Sequence, residues 1–311
     1  MSVKNNQIKE KVKKFEQAII PKKTAFVLPS IKSILLALDA HDWVIESSRY
    51  SYKVACELSL RYNAYVYIIC MAINNEEYNK SERLVEEAIE YFNNRDGKSQ
   101  GSCIIGSPSD NILKISEDEK TDLIILPTPY AERVEKDNPD SLGATIEILN
   151  NRSTVPLLLL TESNIRPEKI TDKLLMPVQG KEDVTNAEWA LFLSNKNTCI
   201  NVLDNVRINS VDEIKNVSMD LLDEDVNERL IEISLRKNTA SLLNALKEIA
   251  SEMDLKLIIL NKVGDLVEII INELTKKQTS LLIVDSQTSM EKGSIIVKEA
   301  KKNKVPLLII K

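Results

Sequence analysis

The sequence predicts an α/β protein made of two doubly wound domains in tandem, each with a five-stranded parallel sheet. Three observations lead to this prediction. Short apolar runs alternate with helical stretches along the chain, which is typical of parallel strands joined by helical crossovers. The same order of elements occurs twice. A chain of 311 residues also has room for two domains of ordinary size.

In the first half, five apolar runs are predicted as strands and four amphipathic stretches as the helices that connect them. Runs without interrupting charges fit strands that are buried on both faces of a parallel sheet. The predicted strands are 33–39, 65–73, 102–105, 122–126 and 155–160. The predicted helices are 44–62, 81–92, a stretch that begins at Ser109, and 142–150.

The second half repeats this order, although residues 209–238 fit either a helix or an extra strand. The predicted strands are 173–178, 198–203, 255–260, 280–284 and 305–310. The predicted helices are 184–194, 242–253, 265–274 and 294–301. We therefore expect a segment 1–28, a first domain 29–163 and a second, degenerate domain 168–311.

Equal spacings support an internal duplication. Gly143 lies 13 residues before Pro156, and Gly293 lies 13 residues before Pro306. Both final strands read Val-Pro followed by four aliphatic residues. Because an exposed apolar edge strand favours aggregation, we predict that these final strands pair, either within one chain as a pseudo-dimer or across a homodimer.

Composition excludes several classes of protein. With 41 Lys and Arg against 47 Asp and Glu, the chain lacks the basic surface that nucleic-acid binding requires. No apolar run reaches the length of a bilayer span and no secretory signal is present, so we expect a cytoplasmic protein. His41 is the single histidine, which disfavours histidine-based hydrolytic and metal sites. No metal is expected.

The first 24 residues differ in charge from the rest, with seven Lys against two Glu. Ile8, Val12, Phe15 and Ile19 recur at helical spacing, which predicts a basic amphipathic helix. Such a helix could dock on the acidic body or on another subunit, or bind an anionic membrane or a partner's groove.

The candidate ligand site lies where strands end. In doubly wound sheets, ligands bind beyond the carboxyl ends of the strands, at the point where the strand order reverses. Asp39, the loop after Leu126, and Gly143 all fall at such ends.

Together, these motifs resemble the universal stress protein superfamily in its tandem, two-domain form. The segments that carry the resemblance are Ile34-Leu-Leu-Ala-Leu-Asp39, Gly106-Ser-Pro-Ser, Thr121-Asp-Leu-Ile-Ile-Leu, Leu142-Gly-Ala-Thr145 and Val155-Pro-Leu-Leu-Leu-Leu. The resemblance implies a Rossmann-like fold of the adenine nucleotide alpha hydrolase type, and in part of the family ATP or AMP is bound. It also implies a strand-end Asp near the adenosine, followed by Gly-x-x-Gly, a spacer, and Gly-Ser or Gly-Thr.

This pattern is incomplete here. In the first repeat Asp39 and Gly143 match, with Thr145 one place beyond the hydroxyl position. In the second repeat Gln179 replaces the Asp, whereas Gly293-Ser294 is retained. Gly-x-x-Gly is absent from both repeats, and Pro127-Thr-Pro-Tyr130 stands in its place in the first. We expect neither repeat to cradle a triphosphate, while the first could hold an adenosine moiety or another ligand.

The nucleotide-binding candidates are therefore Asp39, Gly143, Thr145, Gly293 and Ser294. Each has an alternative structural role. Asp39 could be a solvated strand-end cap, Gly143 and Gly293 could be N-caps or close-packing positions, and Ser294 could cap its helix. His41 fits a general base or an ordinary loop residue, and the acid-rich run 223–232 fits a metal site or a solvated face.

Three functions remain open from the sequence. The first is a non-enzymatic stress-response or regulatory binding module. The second is an ATP- or AMP-binding protein with weak ATPase activity. The third is a dedicated enzyme on the same fold, for which the sequence supplies no obvious nucleophile, base or metal.

Overall fold

A computed structural model describes residues 25–72, 74–130, 143–179, 183–206, 239–276 and 278–311. Within these residues strands and helices alternate, as the apolar runs predict. The strands are β1 Ser33–Leu38, β2 Tyr65–Ala72, β3 Ser99–Ile105, β4 Leu123–Pro127, β5 Leu157–Leu160, β6 Lys173–Val178, β7 Cys199–Val206, β8 Lys256–Val263, β9 Leu281–Asp285 and β10 Leu307–Ile310. The helices are α1 Ile45–Tyr62, α2 Asn75–Asn93, α3 Pro108–Asp118, α4 Ala144–Arg152, α5 Val184–Leu193, α6 over 239–252, α7 Leu266–Thr275 and α8 Ser286–Lys302.

The described strands form one sheet in the order β3-β2-β1-β4-β5-β10-β9-β6-β7-β8. Within each half the strands are parallel and follow the same order outward from the centre. This confirms the predicted α/β class and the two doubly wound halves with five parallel strands each.

The halves join through their final strands. β5 and β10 pair antiparallel, with Leu158 opposite Leu308 at the centre of the register. The predicted pairing of the last strands is therefore confirmed, and it occurs within one chain. Each of these strands gains a hydrogen-bonded neighbour and is no longer an open edge.

Apolar side chains cover both faces of the sheet. Because successive residues of a strand point to opposite faces, Leu36, Leu158 and Leu308 belong to one core cluster, and Leu35 and Leu159 belong to the other. Both clusters contain residues from both halves. The strands are therefore buried in the manner that their uninterrupted apolar sequences predict.

Two elements of the first half begin several residues earlier than their apolar patterns predict. β3 begins at Ser99 rather than at residue 102, and it is an edge strand whose residues 100–102 are exposed and carry little apolar surface. α2 begins at Asn75 rather than at residue 81, and its first turns are polar. The amphipathic helix predicted near the N-terminus, the segment 209–238 and the acid-rich run 223–232 lie outside the described residues.

Candidate functional site at the carboxyl edge of the sheet

The candidate site lies where the chain leaves β1 and β4. These strands are parallel neighbours in the centre of the first half, and the strand order reverses between them, which opens a crevice at their carboxyl ends. Asp39 directly follows β1, and Gly143 and Thr145 lie at the start of α4, the helix that follows β4. The structure thus places the three predicted first-half residues at one edge.

Asp39 is held in a buried position and is not the solvated residue of the alternative interpretation. Only 3% of it is exposed. Its backbone N–H donates to Ser48 Oγ at 3.1 Å, and the same hydroxyl donates to Asp39 O at 2.7 Å. The side chain accepts from the backbone N–H of His41 at 2.9 Å. α1 therefore fixes the end of β1 through Ser48, a contact that the sequence pattern does not reveal.

His41 forms a close pair with Asp39. Nδ1 lies 2.5 Å from Asp39 Oδ1, and Nε2 lies 3.7 Å from Oε1 of Glu77 on α2. The hydrogen bond to Asp39 is the main cause that raises the pKa of His41 above its ordinary value, and burial opposes it. The imidazole also stacks on Trp43, with ring centroids 4.3 Å apart. The pair is suited to holding or transferring a proton at the crevice rim.

Tyr130 lies against the end of β1. Its side chain is fully buried, and its hydroxyl donates to the carbonyl of Leu38, the last residue of β1, at 3.4 Å. Burial raises the pKa of Tyr130 well above its ordinary value, so the phenol stays neutral. The sequence shows only an aromatic residue after two prolines. The position of the Tyr130 ring against β1 depends on the path of the loop after β4. This path leaves no periodic pattern in the sequence.

Gly143 has a conformation that explains its residue type. It is the N-cap of α4, with φ of 86° and ψ of 138°, a region that L side chains rarely adopt. The helix that follows carries Thr145, which is buried. A helix N-terminus presents backbone N–H groups and a partial positive charge, and so favours an anion.

The second half is built differently at the corresponding edge. Asp285, at the end of β9, caps α8 by accepting from the backbone N–H of Thr288 at 2.8 Å and from its hydroxyl at 2.7 Å. α8 therefore begins at Ser286, and Gly293 lies inside it. The prediction that this helix begins after Gly293 is wrong, because the Asp285 cap satisfies an earlier first turn.

The helix is not regular beside Gly293, because the next residue leaves the α-helical conformation. Ser294 follows at φ of 62°, is buried, and its hydroxyl donates to Met290 Sδ at 3.5 Å. Gln179, which replaces the strand-end Asp, donates its backbone N–H to Asp183 Oδ2 at 2.5 Å. The second edge therefore differs from the first in its strand-end residue and in the place where its last helix begins.

Two kinds of feature are absent from the described part of the chain. No group of three or more His, Cys, Asp and Glu side chains there is arranged to hold a metal ion. None of the described helices has the combination of length and apolar character that crossing a membrane requires.

Solved structures with the same architecture include two universal stress proteins. One, from Archaeoglobus fulgidus, is 12% identical, covers 91% of this chain and 97% of its own, and superposes with a TM-score of 0.61. A putative universal stress protein from Pseudomonas aeruginosa is 14% identical over 90% of this chain and 93% of its own, with a TM-score of 0.59.

A third structure, a functionally unknown protein from Pseudomonas aeruginosa PAO1, is 12% identical and covers 90% of this chain and 92% of its own, with a TM-score of 0.57. Neither a protein-family model nor a curated protein sequence matches the chain. These three structures match the chain across both of its halves. The chain therefore has, over nearly its whole length, the fold of the universal stress proteins.

Proposed function

We propose that the chain is a non-enzymatic, stress-type binding module that holds a nucleoside monophosphate, with adenine as its base, at the first-half edge alone. The observation that carries this proposal is the difference between the two carboxyl edges. In the first half, a buried carboxylate at the end of β1 lies on the same edge as a glycine that opens α4. In the second half, the corresponding glycine lies inside α8.

The first-half edge suits a ligand with one anionic group. Pro127 and Pro129 have no backbone N–H to offer to a phosphate, and the Tyr130 ring occupies the space against β1. A chain of phosphates needs successive backbone donors of the kind that glycine-rich loops provide. In this proposal a single phosphate lies near the N-terminus of α4, and a sugar hydroxyl or a base amine lies near Asp39.

A second candidate function is slow nucleotide hydrolysis at the same edge. The observation that favours it is the hydrogen-bonded pair of Asp39 and His41, since a carboxylate that orients an imidazole is the usual arrangement for a general base. This candidate predicts release of phosphate from ATP that His41→Gln abolishes. If the unmodified protein releases phosphate no faster than the His41→Gln variant, this candidate function is excluded.

The binding proposal is tested by thermal unfolding with AMP, ADP and ATP. A ligand at 100 times its Kd stabilises the protein by about 2.7 kcal/mol, which a melting curve resolves. We expect AMP to raise the Tm at least as much as ATP does, and Asp39→Asn to remove the effect. Gln179→Ala, at the corresponding position of the second half, is the matched control and should respond like the unmodified protein.

Two results would overturn the proposal. One is a Tm that stays unchanged at millimolar AMP. The other is an equal response of the Asp39→Asn and Gln179→Ala variants, which would place the ligand elsewhere.

A further inference from the structure

The loop 39–44, which connects β1 to α1, contacts the start of the neighbouring helix α2 at two points. His41 Nε2 lies 3.7 Å from Glu77 Oε1, and Lys80 Nζ lies 2.5 Å from Asp42 Oδ1. Both partners on α2 lie within its first two turns. We propose that His41 is a proton-operated latch that holds this loop against α2 when the imidazole is charged and releases it when the imidazole is neutral.

The chemistry of imidazole supplies the switch. A charged imidazole carries an N–H on both ring nitrogens, whereas a neutral one carries a single N–H. In the structure, Nδ1 faces the Asp39 carboxylate and Nε2 faces Glu77. Only the charged ring can donate in both directions. When the proton is lost, the ring keeps its bond to the buried Asp39 and loses its attraction for Glu77.

The second pair cannot replace this latch. Asp42 is 90% exposed and Lys80 is 50% exposed, and exposed pairs of this kind contribute little because water screens them. In the contact between His41 and α2, the His41 side chain is 20% exposed and the Glu77 side chain is 34% exposed. The less solvated contact therefore decides whether the loop stays on α2.

The other titratable groups around His41 do not remove the preference for the charged imidazole. Asp39 and Glu77 both favour the charged imidazole, and Lys80 opposes it. On the side facing the sheet, burial raises the pKa of Cys70 to about 12 and that of Tyr130 well above its ordinary value. Both groups are neutral at physiological pH and do not compete with Asp39.

Trp43 can serve as a spectroscopic probe of the protonation state of His41. Its indole ring stacks on the imidazole with an interplanar angle of 18°, and 45% of the residue is exposed. A charged imidazole on an aromatic face adds a cation–π attraction, so the stack should loosen when the proton is lost. The loop also carries Asp39, so the latch would adjust the candidate ligand edge, although the inference holds whatever ligand binds there.

The first experiment measures the pKa of His41. Because His41 is the single histidine, one imidazole signal in an NMR titration reports its pKa without an assignment problem. We expect a midpoint above 6.5, the ordinary value. Glu77→Gln should lower the midpoint, while Glu46→Gln, which removes a carboxylate that pairs with Arg49 on α1, should leave it unchanged.

The second experiment measures how the hydrogen-exchange rate of the loop 39–44 depends on pH. Hydrogen exchange of peptides covering the loop 39–44 and the start of α2, corrected for intrinsic rates, should be slower below the midpoint than above it. His41→Gln should remove this pH dependence. The fluorine signal of 5-fluorotryptophan at Trp43, identified with Trp43→Phe, should follow the same midpoint.

The proposal fails on either of two results. A midpoint at or below 6.5 would show that the carboxylates do not hold the proton. A normal titration with unchanged exchange in the loop and in α2 would show that the proton moves without releasing anything.

Discussion

At the scale of single residues, the clearest physical arrangement is the buried carboxylate of Asp39, which is stabilised by the backbone of His41 and by its imidazole. A buried carboxylate is costly unless it is hydrogen-bonded, so this pair contributes to stability as well as to the candidate site. Its contribution depends on pH through the imidazole.

We expect the pair to stabilise the protein at acidic pH. Since the pKa of His41 is raised in the folded state, the stabilisation is fully present below the unfolded value of about 6.5 and disappears as the pH rises through the folded value. The free energy of unfolding, relative to that of His41→Gln, should fall by about 1–2 kcal/mol between pH 5.5 and 8.5. Urea denaturation of both proteins tests this, and an equal pH dependence would contradict it.

Gly101, on the edge strand β3, has no room for a side chain. An added Cβ would lie 2.6 Å from Val85 Cγ1 and 3.1 Å from the carbonyl oxygen of Ile68. We expect Gly101→Ala to lower the free energy of unfolding by about 1–3 kcal/mol, because overpacking displaces well-packed neighbours. The adjacent exposed Ser102 is the control, and Ser102→Ala should stay within about 0.5 kcal/mol. Equal unfolding midpoints for the two variants would refute the packing explanation.

Sequence reasoning locates some of these residues and misses others. Asp39 and Gly143 are placed correctly at the sheet edge because they directly follow or precede strongly patterned elements. Ser48 and Tyr130 are missed as parts of the site. Their roles depend on a helix face and a loop path that bring them to β1, and neither leaves a periodic signal in the sequence.

At the scale of elements, the pairing of β5 with β10 joins the two halves. Leu308 is 1% exposed and lies opposite Leu158. We expect Leu308→Ala to destabilise the protein by about 2–5 kcal/mol, the usual cost of removing a buried leucine. Leu60→Ala on α1, where the leucine is 42% exposed, is the control and should cost much less. A small effect at Leu308 would mean that the halves are held together elsewhere.

The start of α8 shows that an aspartate N-cap can begin a helix before the position at which a glycine predicts its start. The sequence indicates a helix after Gly293, because that position matches Gly143 in the repeat. The structure instead begins the helix at the Asp285 cap, with Thr288 as its partner. The Asp and Thr are visible in the sequence, but their spacing fits a turn as well as a cap.

Removing this cap tests the observed boundary. Asp285→Ala should cost about 1 kcal/mol, within the range of about 0.5–2 kcal/mol for N-caps. Asp118→Ala, at the exposed end of α3, should be close to neutral. If chemical denaturation finds Asp285→Ala neutral as well, the helix does not depend on this cap.

At the scale of the whole molecule, the two halves share their hydrophobic core. Each core cluster contains side chains from both halves, and the central strand pair crosses the boundary. We therefore expect one cooperative unfolding transition. Calorimetry should give a single peak with equal calorimetric and van't Hoff enthalpies, whereas two separated peaks would show that the halves fold independently.

The overall architecture is the part that the sequence predicts best. Uninterrupted apolar runs indicate parallel strands buried on both faces. The repeated Val-Pro strands indicate that the final strands pair, and the structure places this pair at the centre of one sheet. The sequence shows only part of the difference between the two carboxyl edges, since Gln179 replaces the strand-end Asp but Gly143 and Gly293 occupy matching places in the repeat. It arises from the different caps and loops that precede the last helix of each half.

The most direct test of the central claim is isothermal titration calorimetry with AMP on the unmodified protein, Asp39→Asn and Gln179→Ala. A single functional edge predicts one site per chain, which is lost in Asp39→Asn and retained in Gln179→Ala. Two sites per chain, no heat with the unmodified protein, or undiminished binding in Asp39→Asn would contradict it.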